Sequence, residues 1–242
     1  MKTKIILLLA VAFIFSSFTA YSQKAIKLTT HEDSIAYSLG LNLGQYILNN
    51  IIKDALNIDK DIILEGVENG LLQQSQLLSD QEMQMNLQVF QQEQMEMQQK
   101  KQKELADKNK EEAKTFFEKN RKEKGIIETE SGLQYKVVKE GNGKKPTQDN
   151  VVKVHYTGKF INGEVFDSSV DRGEPIEFPV TGVIPGWTEG LQLMTEGSKY
   201  IFYIPSDLGY GDRGAPPAIE PAATLIFDVE LLEVKDGKGV IK

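Results

Sequence analysis

Residues 151–169 read VVKVHYTGKFINGEVFDSS, and this stretch decides the fold. Its first ten residues are typical of a β-strand, and an Asn-Gly turn follows them. Further blocks of the same texture come later, namely VIPGW at 183–187, YG at 210–211 and ATLIFDVELL at 223–232. Aromatic and branched apolar residues recur along these blocks, without a nucleophile paired to a base or a cage of metal ligands. The pattern favours chemistry that needs a pocket rather than a reagent.

The region after Gly125 predicts an antiparallel sheet. Gly, Pro, Asn and Asp turns separate segments that read as strands at 133–138, 151–160, 199–204 and 224–234. Residues 185–194 between them predict one short helix. We therefore expect a sheet curled over a helix.

The first 22 residues read as an export signal. Lys2 and Lys4 precede an apolar run from Ile5 to Phe15, and the small residues Ala20 and Ser22 come just before a cleavage point ahead of Gln23. The apolar run is shorter than the about 20 residues of a membrane span, so a retained anchor is the alternative to cleavage. Cleavage predicts an exported protein, soluble in the periplasm or cell envelope.

Composition narrows the possible partners. Removing the two lysines of the signal changes the formal charge of −7 to −9, and an acidic protein is not attracted to phosphate backbones or anionic lipid. Nucleic acid is therefore excluded as an expected partner. The chain has no cysteine, so it offers neither disulfides nor an acceptor for a bacterial lipid anchor.

Residues 23–79 predict a helical dimerisation domain. Thr30 with Asp33, and Asp59, are suited to cap two short helices. Neither helix can enclose a core alone, so a second copy of the chain would cover their apolar faces, with packing against the chain's own later domain as the alternative. The apolar spacing of four that defines the helices comes from Ile35, Leu39, Leu43 and Ile47, and from Ile63, Val67 and Leu71.

Residues 80–124 predict one long connecting helix. Ser79 and Glu82 have the spacing of a capping box, and no Gly or Pro interrupts the chain before Gly125. The charged second half is typical of a solvated spacer. The Met-rich first half leaves open contact with a partner helix or with apolar clients, because Met adapts to irregular surfaces.

The blocks after residue 125, taken together, resemble the FKBP-type peptidyl-prolyl cis/trans isomerases. The helical part more loosely resembles the N-terminal dimerisation region of the exported macrophage-infectivity-potentiator class of that family. The resemblance implies an α+β protein in which an antiparallel β half-barrel, within residues 125–242, wraps a short α-helix. It also implies prolyl isomerisation without cofactor or metal, a homodimer, inhibition by macrolides, and clients that are proline-containing unfolded or nascent exported proteins.

The resemblance implies a site as well. Trp187 would form the floor of an apolar cleft, and the amide of Ile184 and the hydroxyl of Tyr210 would bind ligand carbonyls. Asp167 would be the polar group beside the cleft, oriented by Arg172. The catalytic residues it implies are Tyr156, Phe166, Asp167, Trp187, Tyr210 and Phe227, and the substrate-binding residues are Phe178, Val183, Ile184, Ile219 and Arg172. Two departures from commoner members, Ile176 and Glu220, are expected to flank the cleft.

The residues alone leave other interpretations open. Spacing alone favours a plain core for the aromatic residues, and the hydroxyl of Tyr210 is equally suited to be satisfied within its own turn. Asp167 and Asp171 with Arg172 suit a turn-stabilising ion pair. His155 faces away from Tyr156 along the strand, which favours a structural role. The competing function belongs to another class of protein, a non-catalytic holdase chaperone or peptide-binding module that acts through the Met-rich helical arms.

Overall fold

The computed structural model describes residues 26–53, 58–74 and 77–237, so the predicted signal at 1–22 lies outside the described residues. The chain divides into two compact units, Met1–Ser75 and Gln76–Lys242. In the described part of the chain, every helix is too short or too polar to cross a membrane.

The first unit consists of short helices. Helix α1, His31–Tyr46, continues into a π-helical turn at Ile47–Ile51, and α2 spans Lys60–Leu72. None of their residues is buried. Among the described residues of this unit, none therefore covers the apolar faces of the two helices.

Hydrogen bonds fix the starts of these helices as predicted. The Asp33 amide donates to Thr30 Oγ1 at 3.0 Å, and the Thr30 amide donates back to Asp33 Oδ2 at 2.9 Å. Backbone hydrogen bonds from Thr29 and Thr30 are the main cause that lowers the pKa of the Asp33 carboxyl to about 2. Asp59 caps α2 through the Asp61 amide at 2.8 Å.

Helix α3, Asp80–Asn120, is the long helix, and it begins at the Ser79–Glu82 capping box. Its 41 residues extend about 60 Å. It ends four residues before the predicted end at 124. There the Asn120 side chain donates to the buried Gln134 side chain at 2.8 Å, so the helix end is tied to the sheet.

The last turns of α3 pack on the sheet within the second unit. Ala106 is buried, and the rings of Phe116 and Tyr203 lie 5.9 Å apart. The side chain of Gln134 also donates to the Phe117 carbonyl at 3.2 Å. The second half of α3 is therefore more than a solvated spacer. How the chain divides into domains at 79 and 124 stays a prediction.

Seven antiparallel strands form one open sheet. The strands are β1 Ile126–Glu128, β2 Gln134–Lys139, β3 Asn150–Lys159, β4 Val165–Ser168, β5 Ile176–Pro179, β6 Lys199–Ile204 and β7 Leu225–Asp236. Their order in the sheet is β1-β2-β6-β7-β3-β4, and β5 pairs with the first half of β3 beside β4. The first and last strands of this order do not pair, so the sheet is a half-barrel rather than a closed one.

Helix α4, Pro185–Leu191, lies against the inner face of the sheet. A Cβ added at Gly186 would come within 2.6 Å of Ile204, and one at Gly190 within 2.8 Å of Phe202, so these glycines permit the close approach. The predicted helix at 185–194 is three residues too long, because the amides that follow residue 191 form tight turns. The predicted α+β half-barrel around a short helix is confirmed.

Three short strands, β1, β4 and β5, were not predicted. Each has only three or four residues, and their side chains are mostly exposed or half-buried. A strand this short carries too little alternation to distinguish it from a loop. Their pairing depends on neighbouring strands that are distant in sequence.

Candidate active site

A cavity of about 250 Å³ opens between the sheet and α4. Apolar side chains supply most of its lining, which includes one carboxylate and one exposed tyrosine. The lining residues are Tyr156, Phe166, Asp167, Ile176, Phe178, Gly182, Val183, Ile184, Trp187, Tyr210 and Phe227. The structure thus brings together nine of the eleven predicted site residues.

Trp187 forms the base of the cavity. It lies in the first turn of α4 and is only 5% exposed, because three aromatic rings surround its indole. The ring centroids of Tyr156, Phe178 and Phe227 lie 5.4, 5.4 and 5.0 Å from it, all in edge-to-face geometry. Such pairs hold their rings in fixed orientations, so the cavity walls are well defined.

Gly158 makes room for two of these walls. It lies in β3 opposite Phe227 of β7, and an added Cβ would come within 2.7 Å of both the Phe166 and the Phe227 rings. The sequence analysis gave Gly158 no role. A glycine inside a strand was the available signal, since it often marks a close approach.

A polar network lines one side of the cavity. The Tyr156 hydroxyl donates to one oxygen of Asp167, and the Arg172 guanidinium donates to the other. Arg172 also donates to the Tyr156 hydroxyl at 3.1 Å. The pairing of β3 with β4 brings Tyr156 and Asp167 together, and the predicted orientation of Asp167 by Arg172 is therefore present.

The network fixes the charge of its members. Burial acts to raise the pKa of the Asp167 carboxyl, but hydrogen bonds from Tyr156 and Arg172 outweigh it and leave that pKa lower than usual. Burial first, and the hydrogen bond to Asp167 second, raise the pKa of the Tyr156 hydroxyl. Asp167 is thus a weak base that stays ionised, and Tyr156 stays neutral.

Two hydrogen-bond donors lie at the cavity and have no acceptor among the described residues. One is the backbone amide of Ile184, which directly precedes Pro185 at the start of α4. The other is the hydroxyl of Tyr210, whose residue is 41% exposed. Both donors are available to a ligand.

Two expectations about the cavity lining are not met. Ile219 is 6% exposed, pairs with Ala215 in an isolated bridge and belongs to the hydrophobic core. Glu220 accepts a hydrogen bond from Asn109 of α3 at 3.3 Å. Neither residue lines the cavity, whereas Ile176 and Gly182 do.

His155 lies on the other face of β3, as its alternation with Tyr156 predicts. Its Nδ1 is 3.1 Å from the hydroxyl of the buried Ser169, which in turn accepts from the Tyr156 amide at 2.8 Å. This bonding supports the structural interpretation of the histidine. Among the described residues, no group of three His, Cys, Asp or Glu side chains is suited to hold a metal ion.

The structure thus has an open half-barrel around a short helix and an aromatic notch with two free donors at its rim, as the resemblance to the FKBP-type isomerases implies. Comparisons with known proteins agree. Residues 142–232 match the model of the FKBP-type peptidyl-prolyl cis-trans isomerases. Residues 32–137 match the domain amino terminal to FKBP-type peptidyl-prolyl isomerase.

Similar proteins cover nearly the whole chain. The FKBP-type peptidyl-prolyl cis-trans isomerase FkpA of Aeromonas hydrophila is 44% identical, over 84% of this chain and 76% of that protein. The outer membrane protein MIP of Legionella longbeachae is 37% identical, over 97% and 99%. The crystal structure of FkpA from Escherichia coli has a TM-score of 0.72 and 40% identity, and the match covers 87% of this chain and all of that one. The chain therefore belongs to the FKBP-type peptidyl-prolyl cis-trans isomerases.

Proposed function

We propose that this isomerase turns prolyl bonds of exported, incompletely folded polypeptides in the cleft above Trp187. The observation that carries the proposal is the arrangement of that cleft, an apolar notch with the free Ile184 amide and Tyr210 hydroxyl at its rim. The notch suits a proline ring in size and polarity. The two donors suit the carbonyl oxygens of the peptide on either side of it.

An apolar cleft is suited to the reaction because of the electronic structure of the amide. Amide resonance opposes rotation with a barrier of about 18–20 kcal/mol and makes the planar form strongly dipolar. Twisting the bond removes much of that charge separation. A site that excludes water therefore disfavours the planar form more than the twisted one, which is differential binding of the transition state.

The two donors add positioning. Ile184 and Tyr210 hold the peptide on either side of the rotating bond, and one end of the chain is left free to turn. Asp167 acts through its hydrogen bond to Tyr156 and through its field, since its lowered pKa makes it a poor general base. Within this scheme no proton leaves carbon and no covalent intermediate forms.

Export of the protein is supported by the signal-like segment at 1–22 and by its similarity to the outer membrane protein MIP of Legionella longbeachae. Clients would then be proline-containing proteins that fold in the periplasm or cell envelope. Macrolide-type inhibitors should occupy the same notch. Addition of such an inhibitor should abolish catalysis of a proline peptide.

The first unit supports a homodimer. A concavity of about 570 Å³ runs along α1 and is almost wholly apolar. Leu41 in this concavity is 51% exposed, which is costly for a leucine unless another surface covers it. A second copy of α1 has the matching apolar face. A dimer would offer two clefts to one client polypeptide. Binding at the first cleft would raise the effective concentration of the client at the second.

Sedimentation of the mature chain tests the dimer. Leu41→Glu should shift the protein to monomer, because a carboxylate would enter the apolar interface. Asn42→Glu adds the same charge next to it, at a residue that does not line the concavity, and should remain dimeric. A wild-type monomer at micromolar concentration would remove this part of the proposal.

The holdase alternative is favoured by one observation, the exposed apolar residues in the first half of α3. Met85, Leu87, Val89 and Met95 are each more than half exposed. They would bind unfolded segments without the cleft. Substituting all four by Gln should raise client aggregation and leave isomerisation of a short peptide unchanged if the two activities are separate.

The isomerase mechanism is tested by following the cis-to-trans conversion of a short proline peptide with the full mature chain. Tyr210→Phe removes only the hydroxyl, and we expect kcat/KM to fall about five-fold, as for the loss of one neutral hydrogen bond. Trp187→Leu should lower it further. Gly66→Ala is the control, since among the described residues nothing beyond its own turn of α2 lies within 4 Å of the added carbon. Wild-type rates in both cleft variants would contradict the proposal.

A further inference from the structure

Tyr210 lies in a segment, residues 205–224, and is the one residue of that segment that lines the cleft. Two 3-10 turns, Ser206–Leu208 and Gly211–Arg213, flank the tyrosine. The amide of Ala222 donates to the Gly211 carbonyl at 3.0 Å, so the returning part of the segment is tied to the residue next to Tyr210. We call residues 205–224 the Tyr210 segment.

Among the described residues, no side-chain hydrogen bond and no aromatic pair holds the ring of Tyr210 in place. Its hydroxyl has no acceptor among the described residues, and the residue is 41% exposed. Glycines at 209 and 211 flank it, and Gly211 has a φ of +62°. Glycine adopts many backbone conformations, so these neighbours by themselves permit the tyrosine to move.

Helix α3 holds the Tyr210 segment from outside. Lys110 Nζ lies 2.7 Å from the carboxylate of Asp212, two residues after the tyrosine. Asn109 Nδ2 donates to the Pro221 carbonyl at 2.9 Å, directly before Ala222. Lys110 therefore contacts the part of the segment just after Tyr210, and Asn109 contacts the part that returns toward it. The hydrogen bond from Ala222 to Gly211 joins these two parts.

We propose that Asn109 and Lys110 are positioning residues for catalysis, which hold the Tyr210 hydroxyl where it meets the peptide carbonyl. The proposal rests on the role of Tyr210 given above. It assigns to the connecting helix a function in the reaction, in addition to linking the two parts of the chain. Neither residue touches the cavity, so they act through the segment alone.

The two contacts differ in how they respond to salt. Lys110 and Asp212 are largely exposed, so added salt screens their attraction. The bond from Asn109 to the Pro221 carbonyl is neutral and partly buried, and salt should leave it unchanged. Raising the salt concentration should therefore reproduce the effect of losing Lys110 but not that of losing Asn109.

The test uses the full mature chain and the proline-peptide assay. Asn109→Leu and Lys110→Met together should lower kcat/KM about three-fold, and by no more than Tyr210→Phe does, since they act through its hydroxyl. Lys110→Arg alone keeps the positive charge, and this variant should retain most of the wild-type kcat/KM. The control is Lys108→Met, which removes the same charge from the same helix but breaks a pair with Glu112 inside α3.

A double-mutant comparison separates positioning from a general effect on the fold. In a Tyr210→Phe background, the Asn109→Leu and Lys110→Met changes should cause no further loss. If the two helix changes cause a further loss of equal size in the Tyr210→Phe background, the inference is overturned while the role of Tyr210 stands. Wild-type activity of the Asn109→Leu and Lys110→Met variant has the same two consequences. Wild-type activity of Tyr210→Phe would instead remove the proposed role of the tyrosine and this inference with it.

Discussion

Gly158→Ala adds only one methyl group, but we expect it to distort the cleft strongly. The added methyl would lie 2.7 Å from Phe166 Cζ and from Phe227 Cε1, whereas carbon atoms in contact lie about 3.5–4.0 Å apart. Each ring would have to retreat by about 1 Å. Phe227 is buried against Trp187, so the half-buried Phe166 should move, and with it one wall of the cavity.

The magnitude follows from this overlap. Overpacking of this kind costs about 1–3 kcal/mol, and a unit of this size loses about 2–4 °C in Tm for each kcal/mol. Misplacement of a positioning group by about 1 Å lowers rates by up to about 100-fold. We therefore expect kcat/KM for a proline peptide to fall at least ten-fold, at a temperature where the variant is still folded.

The assay compares isomerisation rate and thermal unfolding in the same samples. Gly66→Ala adds the same methyl group in open space on α2. It should change Tm by no more than a few degrees and leave the isomerisation rate unchanged. A Gly158→Ala variant with wild-type kcat/KM and Tm would refute the reasoning, because it would mean that the two rings do not enclose the cavity as described.

Further predictions concern protonation and the docking of α3. Between about pH 5 and pH 9, kcat/KM should be constant. The reason is that the pKa of Asp167 lies below its ordinary 3.8 and the pKa of Tyr156 lies above its ordinary 10.0, so neither group titrates in that range. Stopped-flow rates that rise or fall with a midpoint near neutrality would contradict this prediction. The stabilising contribution of Asp167 is present above the unfolded-state pKa of 3.8 and lost as the pH falls through the lower folded value, so acid unfolding of Asp167→Asn should begin at higher pH than that of wild type. Gln134→Leu in β2 removes the partner of Asn120 and of the Phe117 carbonyl at a fully buried position, and should cost about 1–3 kcal/mol in denaturant unfolding, whereas Gln92→Leu at an exposed position of α3 should cost less than about 0.5 kcal/mol.

Sequence patterns predict the long strands and the helix caps well, since both depend on neighbours close in the chain. The capping boxes at Thr30 and Ser79 are local, and each lies where its spacing indicates. The strands β3 and β7 are long enough to show their periodicity. β4 and β5 are not, and their positions depend on pairing with β3.

The residues at the centre of the site were predictable from the sequence motifs, but the residues at the edge of the site were not. Motif position placed Tyr156, Asp167 and Trp187 at one cavity, but a segment that turns back on itself does not reveal which side it presents. Ile219 therefore lies in the core and Glu220 at α3, although both are close in sequence to Tyr210. The contacts of Asn109 and Lys110 join residues more than 100 positions apart, and no local pattern indicates them.

The central claim is that a proline ring enters the aromatic notch above Trp187 while rim donors hold the peptide. A structure of the full mature chain with a bound proline peptide tests it most directly. We expect the proline ring to lie against the indole, with the Ile184 amide and the Tyr210 hydroxyl donating to carbonyl oxygens of the peptide. A peptide bound elsewhere, with the notch filled by the protein's own side chains, would contradict the account.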